Sequence, residues 1–106
     1  MKKKKVDQVL VENILHLVAE YYEVQESSIL YGNRERRYSE PRHVAMYCLY
    51  QFAVMNYLSL ARMFGKKSHR TVMYAVEKVR EWKYNPKLNR NAANCIQYVK
   101  QQTKIN

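Results

Sequence analysis

Glycine and proline are scarce in this chain, which has only 2 of each in 106 residues. β-Sandwiches and β-barrels need these residues in their many tight turns, and phosphate-binding loops need several glycines. A chain of this length is typical of one domain and short for two, and its 47% hydrophobic residues are ample for a core. The sequence therefore predicts a single all-α domain.

Apolar residues recur at three- and four-residue spacing along most of the chain, which is the pattern of amphipathic helices. We expect a compact bundle of about 5–6 helices. The helix that begins near Ser39 and Pro41 should be the most buried, because its apolar residues cover more than one face. The spacing predicts helices over residues 7–24, 39–54, 56–64 and 68–82, and a last helix from Leu88 or Arg90 to residue 102, with a short turn at 27–30.

A helix-turn-helix is predicted in the second half of the chain. Asn56 can cap a short helix, Gly65 supplies the left-handed conformation that ends one, and Ser68 can cap a longer helix. The first turn of the second helix in such a unit suits the major groove of DNA. The residues that arrive there first are Lys67, Ser68, His69, Arg70 and Thr71, with Lys66 in the turn.

Positive charge is concentrated in the middle and C-terminal segments. Residues 7–30 contain five acids and no Lys or Arg, whereas residues 31–70 contain eight Lys or Arg and two acids, within a net charge of +10. This distribution is typical of a surface that binds a polyanion, and a basic loop at 34–37 belongs to it. The Lys2–Lys5 run is interpreted as a solvated tail, with a flexible arm that touches phosphate as the alternative.

Four blocks of sequence carry a resemblance to a known family. They read VAEYY at 18–22, RERR at 34–37 and PRHVAMY at 41–47, followed by the segment 60–75. In order and spacing they resemble the C-terminal, box-binding helix-turn-helix domain (domain IV) of the bacterial chromosomal replication initiator DnaA, whose fold is Trp-repressor-like. The resemblance covers residues 14–79, and it implies an all-α fold that binds double-stranded DNA.

The resemblance also implies roles for individual residues. Arg34 falls where the family inserts an arginine into the minor groove, and Arg42 falls on an arginine that contacts a base or phosphate. His43 stands where the family often has Gln. The family's last block usually reads F-G-G-R-D-H-[ST]-T-V-x-x-A, so Ser68 replaces an acidic acceptor and Arg70 adds a donor. DNA binding is therefore implied, whereas a preference for the family's own box is not.

These observations predict a sequence-specific binder of double-stranded DNA. A helix over about residues 68–82 enters the major groove, and the loop 34–37 reaches the minor groove or the backbone. The predicted DNA-binding residues are Arg34, Arg36, Arg37, Arg42, His43, Lys66, Lys67, Ser68, His69, Arg70 and Thr71.

Enzymatic activity is not expected. The chain has no GxxxxGK[ST] loop, and its histidines share no metal-ligand or catalytic spacing with carboxylates or thiols, so no cofactor or metal is predicted. We expect a free-standing regulator or replication accessory without an ATPase. Neither a signal peptide nor a membrane span is recognisable, which favours the cytoplasm and the nucleoid.

Three segments are expected, namely a basic tail at 1–6, the helix-turn-helix domain at 7–84 and a C-terminal helix at 85–106. The last should pack on the same domain or contact another protein or a second copy. A protein-interaction adaptor on the same scaffold remains an alternative function. So does an RNA or single-strand binder that uses Tyr31, Tyr38 and Tyr74.

Overall fold

The computed structural model describes residues 6–31 and 35–104, and this part of the chain is helical without a β-strand. The helices are α1 (Gln8–Tyr22), α2 (Glu26–Leu30), α3 (Arg36–Phe52), α4 (Tyr57–Met63), α5 (His69–Tyr84) and α6 (Arg90–Thr103), with a short 3-10 helix at Pro86–Leu88. The predicted all-α fold is confirmed. None of these helices is both long and apolar enough to cross a membrane.

Side-chain caps define the helix-turn-helix. Asn56 accepts a hydrogen bond from the Ser59 backbone N–H at 2.8 Å and begins α4, while Ser68 accepts from the Arg70 N–H at 3.1 Å and begins α5. Gly65 lies between them with φ 64°, in the left-handed region where a residue without Cβ is favoured. These three predicted boundaries are confirmed.

Helix α3 begins earlier than the sequence pattern predicts. The pattern places the start at Ser39 and Pro41, but the helix starts at Arg36, and Pro41 lies inside it. Pro41 is the sixth residue of α3, beyond the first turn whose N–H groups have no helical partner, so its missing donor removes one helical hydrogen bond, the one that residue 41 would give to the Arg37 carbonyl. The backbone N–H of Tyr38 donates to the Glu35 carbonyl at 3.0 Å and closes the added turn. The predicted basic loop is therefore helical at Arg36 and Arg37.

Helix α3 lies at the centre of the bundle and packs against each of the other five helices. Val44, Ala45, Cys48 and Leu49 have no exposed surface, which confirms that this helix is the most buried element. Helix α6 packs against α1, α3 and α5. It buries an apolar stripe formed by Ala92, Cys95, Ile96 and Val99.

One carboxylate joins α1, α3 and the start of α6. Glu40 on α3 accepts hydrogen bonds from the Tyr22 hydroxyl at 2.7 Å, from Asn89 Nδ2 at 2.7 Å and from Asn91 Nδ2 at 3.4 Å. Asn89 also caps α6, because its Oδ1 accepts from the Ala92 backbone N–H at 3.0 Å. The start of α6 is therefore held beside the first turns of α3.

Candidate nucleic-acid interface

Helix α5 divides into a buried stripe and an exposed first turn. The stripe is apolar and packs against α3 and α4, and its members are Val72, Ala75, Val76 and Val79. His69, Arg70 and Thr71 are exposed, and the first turn contains no acidic residue. Because the first N–H groups of a helix lack helical partners, this turn presents backbone and side-chain donors together.

The turn before α5 adds two lysines to this surface. Lys67 and Ser68 are exposed, and Lys66 is half-buried. The Ser68 hydroxyl oxygen is occupied by the cap of α5, so its first role is structural. The predicted recognition residues 66–71 therefore form one continuous surface, rich in hydrogen-bond donors.

His43 on α3 lies within electrostatic reach of this surface. Burial, together with the positive charges of Lys78, Arg42 and Lys66, lowers the pKa of His43 to about 4. The imidazole is therefore neutral at pH 7 and has one donor and one acceptor nitrogen. It adds hydrogen-bonding capacity to the surface without adding charge.

Lys78 is a basic residue of this region that the sequence interpretation missed. It is exposed, its charge acts on His43, and its Nζ lies 5.8 Å from the Tyr74 ring centroid and 5.7 Å from that of Trp82. The three α5 residues are spaced four apart, so they share one helix face. The sequence shows this spacing. It does not show that the face which carries Lys78 lies near His43, because that depends on how α5 packs against α3.

Arg42 has a structural role in this fold. Only 7% of its surface is exposed, its Nε donates to the Ile29 carbonyl at 2.8 Å, and its Nη2 donates to the Ser28 carbonyl at 3.0 Å. Burial lowers the pKa of the guanidinium, which nonetheless remains charged at neutral pH. Arg42 thus ties α2 to α3, and its implied contact with DNA stays a prediction.

Arg36 and Arg37 are exposed on the first turn of α3. Arg37 Nε lies 2.8 Å from a Glu35 carboxylate oxygen, and its guanidinium carbon lies 4.8 Å from the centroid of the Tyr38 ring. These two arginines stand on the same helix as Arg42 and His43. Arg34 and the Lys2–Lys5 run lie outside the described residues.

Helix α1 has the opposite charge. Glu12, Glu20, Glu23 and Glu26 are exposed there or just after it. His16 Nε2 lies 3.9 Å from Glu20 and Nδ1 lies 3.6 Å from Glu26. The surface of α1 therefore repels phosphate, which leaves the basic surface of α3 and α5 as the side suited to a polyanion.

Within its described parts, the chain has no cluster suited to a metal ion, and its two thiols are buried. Residues 6–31 and 35–104 contain no group of three His, Cys, Asp or Glu side chains placed to hold a metal ion. Both thiols, Cys48 and Cys95, are buried, and burial raises the pKa of each, so they remain protonated and unreactive at neutral pH.

The chain matches the family model described as bacterial dnaA protein helix-turn-helix over residues 11–79. It is 41% identical over 71 residues to the chromosomal replication initiator protein DnaA of Magnetococcus marinus, covering 67% of this chain and 16% of that protein. It is 39% identical to the DnaA of a Ruegeria species over 75 residues, covering 71% of the chain and 16% of the relative. With the DnaA of Aquifex aeolicus it shares 34% identity over 89 residues, 84% of the chain and 22% of the relative.

The match runs from α1 to Val79 and includes α4, the turn and the first eleven residues of α5. The chain spans less than a quarter of the length of the curated relatives described above. By its sequence, the chain belongs to the bacterial dnaA protein helix-turn-helix family of DNA-binding domains.

Proposed function

We propose that this protein binds double-stranded DNA in a sequence-specific manner, with the first turn of α5 in the major groove. The observation that carries the proposal is the exposed, acid-free turn of His69, Arg70 and Thr71, preceded by Lys66 and Lys67. The apolar stripe of the same helix is buried, so this turn is held rigidly on the bundle.

The chemistry of this turn suits base edges and phosphates. Arginine and lysine donate to O6 and N7 of guanine, and the methyl group of threonine contacts the methyl group of thymine. A helix about 10–12 Å wide fits the major groove, which is about 12 Å wide. We assign base contacts to His69, Arg70 and Thr71, and phosphate contacts to Lys66 and Lys67.

The second contact is assigned to residues 34–37. Arg36 and Arg37 project from the first turn of α3, and Arg34 precedes them in the chain. Arginine is the side chain best suited to a narrow minor groove, because the negative potential there is strongest and its guanidinium forms several hydrogen bonds. Arg42 and His43 complete the proposed site, with Arg42 acting chiefly through the scaffold.

The biological role we propose is that of a regulator or replication accessory without ATPase activity. The relatives are replication initiators, and the part of them that this chain matches is the helix-turn-helix. A protein that performs this role acts in the cytoplasm, at the nucleoid.

The test is binding of the full chain to a pool of random-sequence duplexes, titrated with salt, followed by selection of the retained sequences. We expect an affinity that falls steeply with salt, because each neutralised phosphate contributes about 0.9 to the slope of log K against log salt. Enrichment of one sequence motif supports specific recognition, and absence of enrichment would leave only non-specific binding. Failure to bind any duplex at 50 mM salt would overturn the proposal.

Competition distinguishes the other functions considered. Single-stranded DNA and RNA of matched length should displace the duplex poorly. Tyr31 and Tyr74 are exposed and could stack on unpaired bases, so strong displacement would favour a single-strand binder. Failure of duplexes, single strands and RNA alike to bind would favour the protein-interaction adaptor.

A further inference from the structure

The junction between α5 and α6 carries basic residues, and no acidic residue follows Glu81 in the sequence. After Glu81 the chain contains five Lys or Arg residues and no Asp or Glu, so this segment supplies half of the whole chain's net charge of +10. Lys87 lies in the short 3-10 helix and Arg90 is the first residue of α6, and both are exposed. This basic pair lies C-terminal to the family match, which ends at Val79.

The junction is held against the part of α3 that carries the first-turn arginines. Asn89, which lies between Lys87 and Arg90, donates to Glu40 at 2.7 Å, and the side chain of Asn91 donates to the same carboxylate at 3.4 Å. Arg36 and Arg37 lie four and three residues before Glu40 on α3. Residues at these spacings share one face of a helix, so both arginines lie on the side of α3 that contacts the junction.

Two carboxylates, Glu35 and Glu40, lie on α3 or directly before it in this region, and both have polar neighbours. The Glu40 carboxylate accepts three hydrogen bonds from Tyr22, Asn89 and Asn91, and Glu35 forms an ion pair with Arg37. Four exposed basic side chains, Arg36, Arg37, Lys87 and Arg90, lie on the two sides of the Glu40 contact, and the two carboxylates Glu35 and Glu40 offset only half of their charge, so the balance is positive. A surface of this kind matches the regular negative charge of a duplex backbone.

We propose that Lys87 and Arg90 extend the DNA-binding surface and contact backbone phosphates beside those reached by Arg36 and Arg37. The inference rests on the proposed function, since it widens the footprint of the same surface. These residues contribute to affinity and its salt dependence, whereas the choice of sequence stays with the first turn of α5.

The test compares two double variants of the full chain, K87A/R90A and K100A/K104A. Each removes two positive charges, but Lys100 and Lys104 lie ten and fourteen residues after Arg90, about 15 and 21 Å along the α6 axis. Binding to a fluorescent 24-base-pair duplex of random sequence is measured by anisotropy between 50 and 200 mM NaCl. Thermal unfolding by circular dichroism checks that each variant is folded at the assay temperature.

We expect the slope of log K against log salt to fall in magnitude by about 2 for K87A/R90A and to stay unchanged for K100A/K104A. The charge-preserving variant K87R/R90K should restore the wild-type slope. Equal losses in both alanine variants, or no loss in K87A/R90A while the wild type binds normally, would overturn this inference and leave the proposed function intact. Absence of binding by the wild type would overturn both.

Discussion

The Tyr22 hydroxyl on α1 donates a 2.7 Å hydrogen bond to the Glu40 carboxylate on α3, although the two residues are 18 positions apart in the chain. The same carboxylate accepts from Asn89 at the start of α6, 49 positions from Glu40. Burial first, and then the hydrogen bond and the charge of Glu40, raise the pKa of Tyr22, so the phenol stays protonated and remains a donor. Three helices therefore meet at one acceptor.

Removal of this acceptor should destabilise the fold. Glu40→Ala leaves the half-buried Tyr22 hydroxyl and the Asn89 amide without their partner, and we expect the free energy of unfolding to fall by about 1–3 kcal/mol. Tyr22→Phe removes a single donor and should cost about 1 kcal/mol. Urea denaturation at pH 7 measures both. A loss for Glu40→Ala no larger than that for the exposed Glu81→Ala would contradict the structural role of Glu40.

The environment of His43 predicts a pH dependence of stability. Its pKa is about 4 in the folded protein and 6.5 for an ordinary histidine, so between these values the unfolded chain binds more protons. Stability should therefore fall as the pH decreases from about 6.5 to 4, by about 1–2 kcal/mol after allowance for solvent screening. His43→Gln removes this contribution. The free energy of unfolding of the variant, relative to that of wild type, should therefore increase as the pH is lowered from 7 to 4.5. An unchanged difference between the two proteins, measured by urea denaturation, would contradict the assignment.

The first turn of α5 should determine the preferred DNA sequence. His69→Ala and Arg70→Ala should each weaken binding by about 1–3 kcal/mol and relax the preference at one base position. Lys104→Ala, at the end of α6, is the control that removes a charge elsewhere. Sequence selection followed by anisotropy with the selected duplex measures both effects. If the two α5 variants lose only as much affinity as Lys104→Ala and keep the wild-type motif, these residues do not read bases.

The scaffold role of Arg42 can be separated from contact with DNA. Arg42→Lys keeps the charge but cannot reproduce the two hydrogen bonds to the Ser28 and Ile29 carbonyls, so unfolding should become easier by about 1–3 kcal/mol. In Arg42→Met, which removes the charge, we expect the salt slope of DNA binding to change by less than one phosphate contact, because the residue is only 7% exposed. Wild-type stability of Arg42→Lys, together with a slope reduced by about one in Arg42→Met, would assign Arg42 to DNA instead.

Val54 and Gly65 both have a positive φ, although one is a β-branched residue and the other has no side chain. Val54 has φ 59° and Gly65 has φ 64°, in the left-handed region that a β-branched residue strongly disfavours. Val54→Gly should stabilise the protein by about 0.5–1 kcal/mol, since relief of strain exceeds the entropy cost of glycine. Gly65→Ala should destabilise it by about 1 kcal/mol, although no atom lies within 4 Å of the added Cβ. Thermal unfolding decides, and a shift of the same sign in both variants would refute the explanation.

Much of the fold follows from local signals in the sequence. The caps at Asn56 and Ser68 and the left-handed turn at Gly65 were predicted at the positions where the structure has them, because each depends on residues within a few positions of it. The start of α3 was predicted three residues too late. Ser39 and Pro41 signal a helix start through local residues alone. The structure adds a helical turn before Ser39, close to Glu40, which accepts hydrogen bonds from the distant residues Tyr22 and Asn89.

Helical periodicity and segregated charge were sufficient to predict the all-α fold and the surface proposed to face DNA, and the resemblance of four sequence blocks between residues 18 and 75 predicted the family. Periodicity specifies which residues share a helix face, and it does so without reference to the rest of the chain. It does not specify which face meets which neighbour. That relationship arises when distant segments pack, and it alone places Arg42 against α2, Lys78 within electrostatic reach of His43, and Asn89 beside Glu40 on α3.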